Sequence, residues 1–169
     1  TTVTAGAGLV VRNNGALGTG PLTYNAASNL FSTNYGAPVT TITIPNTINL
    51  NSDLTLRGDN NLVLTGAING IGAANRTLNI SVNSAATVNI AGTINLSNDG
   101  TARTFIINEN TFNHTSTVSG VFRNGSGAIN HALQKGGAGT LVLSGDSRTA
   151  PNNDFIGLTT ISSGIVRLP

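Results

Sequence analysis

The sequence contains no cysteine, methionine or tryptophan, and only 8% of its 169 residues are charged. Without cysteine, the chain has no disulfide, no thiolate zinc site and no cysteine nucleophile. Without methionine, we expect a processed chain or a piece of a longer protein. Lys135 is the only lysine and Glu109 the only glutamate, so most enzyme classes lack the residues that they need.

Basic residues are few and evenly spread, although the formal net charge is +2. Proteins that bind nucleic acids concentrate lysine and arginine in a patch that neutralises several phosphates, and no such patch occurs here. The chain also has no apolar run of about 18 residues, the length needed to span a bilayer. We therefore expect no nucleic-acid partner and no membrane insertion of this segment.

Small polar residues dominate instead: asparagine, threonine, serine and glycine together make up nearly half of the chain. Between clusters of these residues, short segments such as 77–82 and 87–90 alternate apolar and polar positions with a period of two, which is typical of β-strands. The pattern predicts an all-β fold.

The sequence also repeats itself. Residues 42–50 (ITIPNTINL) align with residues 88–96 (VNIAGTINL), and five positions mark equivalent points at spacings of 20, 26, 28 and 25 residues. These marks are Asn46, Gly66, Gly92, Gly120 and Gly145. A period of this length predicts one coil of a β-solenoid, with six or seven coils in a single domain over residues 1–169. Stacked asparagine ladders are expected between coils, and a β-sandwich stays open as the alternative.

Carboxylates and histidines are the residues through which a solenoid could act as an enzyme or bind a metal. Asp53 and Asp99 share a repeat position about two coils apart, and the aspartates beside asparagine are typical of turns. His114 and His131 lack a third ligand at metal spacing. We expect no catalytic, cofactor-binding or metal-binding residues and no enzyme activity. The carboxylates considered are Asp53, Asp59, Asp99, Glu109, Asp146 and Asp154.

Both ends of the chain carry a recognisable motif. Residues 133–145 (LQKGGAGTLVLSG) and 155–168 (FIGLTTISSGIVRL) resemble the autotransporter-associated β-strand repeat, and residues 1–11 and 15–23 look like the segment that follows such a repeat. The resemblance implies a right-handed parallel β-helix from a secreted or surface bacterial passenger region. It also implies a structural role as a stalk or adhesin scaffold, and the similarity between the two chain ends adds a head-to-tail filament subunit as an expectation. The location implied is extracellular or at the cell surface.

The alternative function is a carbohydrate-binding or carbohydrate-cleaving β-helix, which would need carboxylates gathered in a groove. Two kinds of partner stay open: surfaces or glycans, and a second copy stacked through the chain ends. Residues 1–6 and 159–164 have similar sequences, so we expect them to occupy the same phase of the repeat. Neither end shows a helical or charged cap.

Overall fold

Short alternating segments form the strands of the computed structural model, which describes residues 1–4, 6–33, 39–98, 100–125, 130–145 and 157–169. In the longest strand, residues 76–82, every second side chain is buried, because successive side chains of a strand point to opposite faces. The described part of the chain contains nineteen strands, numbered β1 to β19 in chain order, and no helix.

The strands form three parallel sheets, and strands that are neighbours in a sheet come from successive coils. Sheet 1 contains β1 (Thr2–Val3), β3 (Leu22–Tyr24), β6 (Ile48–Leu50), β9 (Ile68–Gly70), β12 (Ile94–Ser97) and β15 (Phe122–Gly125). Sheet 2 contains β2 (Gly8–Val11), β4 (Ser28–Ser32), β7 (Leu54–Gly58), β10 (Arg76–Val82), β13 (Thr104–Glu109), β16 (Ala132–Gly136) and β18 (Thr159–Ile161). Sheet 3 contains β5 (Thr41–Ile44), β8 (Asn61–Leu64), β11 (Val88–Ile90), β14 (Thr115–Val118), β17 (Thr140–Leu143) and β19 (Ile165–Arg167).

The chain passes through sheets 1, 2 and 3 in turn, so the predicted parallel β-solenoid is confirmed. The β-sandwich alternative is wrong, since such sandwiches are built from antiparallel sheets and the described strands pair in parallel in all three sheets. Five complete coils run from β3 to β17, which is slightly fewer than the six or seven predicted. The reason is that the described residues of the first coil supply only β1 and β2, and those of the last only β18 and β19.

One column of small residues confirms the repeat alignment. At the corner between sheets 3 and 1, a side chain on each glycine of the column would overlap the backbone carbonyl of the residue one coil earlier. Glycine is required there because successive backbones approach too closely for a Cβ atom. From the first coil to the last, the column consists of Asn46, Gly66, Gly92, Gly120 and Gly145.

Side chains continue the stacking both inside and outside the coil. A single apolar core runs from Val3 in the first coil to Leu141 in the last complete one. On the outer face of sheet 1, Asn69 Nδ2 donates to Asn49 Oδ1 at 2.9 Å, and Asn95 Nδ2 donates to Asn69 Oδ1 at 2.6 Å. The predicted asparagine ladders are therefore present.

The expected phase match between the chain ends is wrong. Strand β1 belongs to sheet 1, whereas β18, which has the similar sequence, belongs to sheet 2. The two segments share a local strand–turn–strand unit, in which Gly6 and Gly164 both adopt a positive φ, of 64° and 71°. The same turn is used at two different corners of the coil. The sequence similarity therefore reports the corner geometry and not the position in the repeat.

Candidate functional site

The carboxylates of the described residues do not gather in a groove. Asp53 Oδ1 accepts a hydrogen bond of 2.9 Å from the backbone N–H of Thr77, so it connects adjacent coils. Asp59 lines a cleft on the outer face of sheet 2, and Glu109 lies in the core. Within the described ranges, no three histidine, aspartate or glutamate side chains come close enough to hold a metal ion. The remaining predicted carboxylates, Asp99, Asp146 and Asp154, lie outside the described residues.

A buried polar cluster, which the sequence did not predict, lies at the corner between sheets 2 and 3. Glu109 is fully buried at the end of β13, because it continues the inward positions of Phe105 and Ile107. Its Oε2 atom accepts a hydrogen bond from the Ser116 hydroxyl and lies 3.1 Å from His114 Nδ1. The signal in the sequence was a charged residue at an inward position of an alternating strand.

The imidazole of His114 is held on both sides. Its Nε2 atom lies 2.7 Å from the carbonyl oxygen of Ala86, one coil earlier. The hydrogen bond to Glu109 raises the pKa of His114 above its ordinary value, burial works in the opposite direction, and the Ala86 carbonyl adds a smaller increase. This environment favours the doubly protonated imidazolium.

Lys135 lies next to this cluster and is only 1% exposed. Its ammonium donates to three backbone carbonyls, at 2.5 Å to Gly136, 2.9 Å to Gly137 and 3.2 Å to Ser163 in the last coil. Burial lowers the pKa of Lys135, while the negative charge of Glu109 partly opposes that shift. As for Glu109, its inward position on β16, two residues after Leu133, follows from the alternation.

The arrangement resembles a serine–histidine–carboxylate set in composition but not in geometry. In a nucleophilic triad the serine hydroxyl is bonded to the imidazole, which takes its proton. Here the Ser116 hydroxyl donates to Glu109, and His114 Nε2 is committed to a carbonyl. All three side chains are buried in the coil, so a substrate has no approach to them. The cluster is suited to holding coils together.

The second histidine has different partners. His131 is fully buried, and its Nδ1 atom accepts a hydrogen bond of 3.0 Å from the backbone N–H of Arg103. An Nδ1 atom that accepts carries no proton, so this ring is neutral. His114 and His131 therefore hold separate parts of the backbone.

A cleft of about 370 Å³ opens on the outer face of sheet 2. Its lining residues include Phe31, Arg57, Asp59, Ser81 and Asn83. Register places Phe31, Arg57 and Ser81 side by side on successive strands, so the cleft runs across three coils. Hydrogen-bond donors, acceptors and an apolar ring are thus available together on one surface.

The two ends of the solenoid differ in how they are covered. At the first coil, residues 12–20, which we call the N-terminal cap, lie against the edge of sheet 3. Asn14 Oδ1 accepts a bond of 2.8 Å from the N–H of Thr43 on β5. The amide of Asn46 donates to the carbonyls of Gly18 and Gly20, at 2.9 and 2.7 Å.

At the other end, the residues of β18 and β19 are largely exposed. Ile161 points inward by register, opposite the buried Lys135, yet 54% of it is exposed because no described residue covers it. Leu158, Ile165 and Leu168 are exposed as well. Among the described residues, the last coil therefore leaves Ile161 uncovered and the outer edges of β18 and β19 without a paired strand.

No family model, curated protein or solved structure matches the chain. The resemblance to the autotransporter-associated repeat therefore stays a prediction. In the described part of the chain, no helix has the length and apolar character to cross a membrane.

Proposed function

We propose that the chain is a structural, non-enzymatic segment of a secreted or surface bacterial protein, where it serves as a stiff stalk or adhesin scaffold. The observation that carries the proposal is the continuity of the three parallel ladders and of the core along the axis. Each coil contacts only its neighbours, so the length of such a rod is set by the number of coils.

The surface supports the same role. Outward positions carry asparagine and threonine, and the asparagine side chains bond between coils, while the few charged residues are dispersed. Stacked like charges would repel each other at every coil, about 4.8 Å apart. The motifs at residues 133–145 and 155–168 add support for the bacterial surface location.

The test is to remove whole coils from the protein that carries this chain. Deleting residues 62–87 joins Asn61 to Val88, which occupies the same register position as Leu62. We expect the shortened protein to fold, to be about 4.8 Å shorter, and to reach the cell surface as detected by protease treatment of intact cells. Loss of surface attachment in a folded, displayed variant would contradict the stalk role and assign binding to the deleted coil.

The matched control is deletion of residues 62–74, about half a coil. It brings Arg76 and the sheet 2 strand into a position that belongs to sheet 3, and it breaks the column of Gly66 and Gly92. We expect this variant to misfold. If the two deletions behave alike, the repeat register does not determine function.

Self-association through the chain ends is a further part of the proposal, with a second copy as the partner. Among the described residues, only sheet 2 has its outermost strand in the end coil on both sides, β2 at one end and β18 at the other. We propose that β18 pairs with β2 of a second copy, which would cover Ile161.

Sedimentation at increasing protein concentration tests this contact. Because Ser162 donates its N–H back to Lys135, the N–H of Ile161 points to the free edge. Ile161→Pro removes that donor and should abolish association, while Ile161→Ala keeps it and should weaken association less. A wild-type chain that stays monomeric at high concentration would exclude the contact.

Glycan binding is a second candidate function, and the cleft of Phe31, Arg57 and Asp59 is the observation that favours it. The guanidinium donates and the carboxylate accepts hydrogen bonds, which suits the hydroxyl groups of a neutral sugar, and the ring can pack against its apolar face. We expect Arg57→Ala and Asp59→Asn to abolish binding on an array of neutral oligosaccharides. Arg167→Ala, an exposed arginine outside the cleft, should retain it. No binding by the wild-type chain would remove this candidate.

A further inference from the structure

The only glutamate, the only lysine and one of the two histidines of the chain meet at a single corner of the solenoid. Glu109, His114 and Lys135 are each at most 3% exposed. A protein with so few charged residues has therefore placed three ionisable groups inside its core. Buried charges cost free energy unless they are paired and hydrogen-bonded. We therefore expect these three groups to have a role that offsets this cost.

Their contacts join four successive coils. The carbonyl of Ala86 belongs to the coil of β9–β11, and it bonds to His114 in the coil of β12–β14. Glu109 contacts His114 within the same coil, and it interacts electrostatically with Lys135 of the next coil. Lys135 in turn donates to the carbonyl of Ser163 in the last coil. The corner is thus a polar connection that runs to the last described coil.

The protonation state of His114 decides whether this connection is complete. The Ala86 carbonyl and the ionised Glu109 carboxylate can only accept hydrogen bonds, and each faces one nitrogen of the ring. An imidazolium donates to both. A neutral ring carries one proton, so one nitrogen then turns a lone pair toward an acceptor.

The Ser116 hydroxyl also lies 3.5 Å from His114 Nδ1, but it donates its proton to Glu109 Oε2 and so does not replace the lost bond. The neighbours of the ring from β14 and from the preceding corner are the Ser116 hydroxyl and the Ala86 carbonyl, which are uncharged. The titratable groups near the Nδ1 atom of the ring are Glu109 of β13 and, next to Glu109, Lys135 of β16.

We propose that this corner is a pH-sensitive joint, which holds the C-terminal coils tightly in mildly acidic solution and loosens them as the solution becomes alkaline. The direction follows from linkage, since the pKa of His114 is raised by its bond to Glu109. The stabilisation is complete below the unfolded-state pKa of about 6.5, and it is lost as pH rises through the higher folded-state value.

The wild-type chain with its two histidines allows a direct test by NMR. Imidazole nitrogen shifts should show His114 doubly protonated well above pH ~6.5, whereas His131 should stay neutral. Amide exchange, corrected for its intrinsic pH dependence, should show protection falling with pH at His114, Thr140 and Ile165. Each unit of pKa elevation corresponds to about a tenfold change in the open population. Amides around Leu62, in the N-terminal half, should not change.

Three variants separate the joint from a general pH effect. His114→Gln should lose the pH dependence of protection, and His131→Gln should keep it. Ser116→Ala preserves the His114–Glu109 pair and should keep it as well. A neutral His114 ring in mild acid, or equal pH responses at Leu62 and Ile165, would overturn the proposal even if His114→Gln did not fold.

Discussion

The first and last described coils differ in how their core residues and strand edges are covered. These coils each have a described neighbour on one side only, which leaves backbone groups and core residues to be covered in another way. At the first coil, the N-terminal cap covers the edge of sheet 3, and Leu17 packs on the core. Val11 is consequently 2% exposed although it lies in an end coil.

The last described coil has no equivalent cover in the described residues. Ile161 and Leu168 are exposed by 54% and 76%. The last coil is connected to the preceding one by Lys135 and by backbone hydrogen bonds. One end is closed by neutral amides, and the other is tied to a buried charge cluster. We infer that, for this chain taken by itself, the first described coil is more stable than the last described coil.

The largest loss of structure should come from valine substitutions in the glycine column. One substitution is made at the middle of the column and one at its last member. Gly92→Val would place a side chain on the carbonyl of Gly66, and the displaced backbone should cost more than about 4 kcal/mol and unfold the chain. Gly145→Val meets Gly120 in the same way, but it should disturb only the last coils. Circular dichroism and limited proteolysis distinguish the two outcomes. Equal loss of structure would mean that the solenoid unfolds as one unit.

The second largest difference in the free energy of unfolding should come from truncating one core side chain in each region. Leu78 and Ile161 occupy the same inward column of sheet 2, connected through Ile107 and Lys135. Leu78→Ala should cost about 2–5 kcal/mol because it leaves a cavity. Ile161→Ala should cost under about 1 kcal/mol, since that side chain is already half exposed. Urea denaturation measures both, and similar values would show that the last coil is covered in solution.

The N-terminal cap can be opened by one substitution. Asn46→Ala removes both amide bonds to the carbonyls of Gly18 and Gly20, at a cost of about 1–3 kcal/mol. We expect cleavage within residues 12–20 by a protease and rapid amide exchange at Thr43. Asn69→Ala, on the outer ladder, is the control and should leave the cap intact. An unchanged cleavage pattern in Asn46→Ala would show that other contacts hold the cap.

The sequence predicted the features that repeat in every coil better than the features of the first and last described coils. Features that repeat were accessible: the alternation, the parallel coils, the column from Asn46 to Gly145, and the asparagine ladders. The cap was not, because its turns at Asn13 and Gly15 are neither helical nor charged and occur once. The phase of the ends was predicted wrongly, since similar turns at Gly6 and Gly164 serve different corners.

The buried cluster shows a second limit of reasoning from sequence. Alternation places Glu109 and Lys135 at inward positions, so their burial could have been inferred. Their partners could not. His114 and Ser116 reach Glu109 through the corner after β13, while Lys135 arrives from the next coil, and only coil-on-coil register brings them together.

The smallest expected effect concerns a polar group in the closed half. Tyr24 is fully buried in β3, and its hydroxyl has no hydrogen-bond partner among the described residues. Burial raises the pKa of Tyr24, which keeps the hydroxyl protonated but does not satisfy it. Tyr24→Phe removes the unsatisfied group without a change of shape, so it should raise the free energy of unfolding by up to about 1 kcal/mol. Ser116→Ala, which removes a bonded hydroxyl from the cluster near the last described coil, should lower it instead. Urea denaturation of both variants measures the contrast, and a destabilised Tyr24→Phe would show that the hydroxyl has a partner in solution.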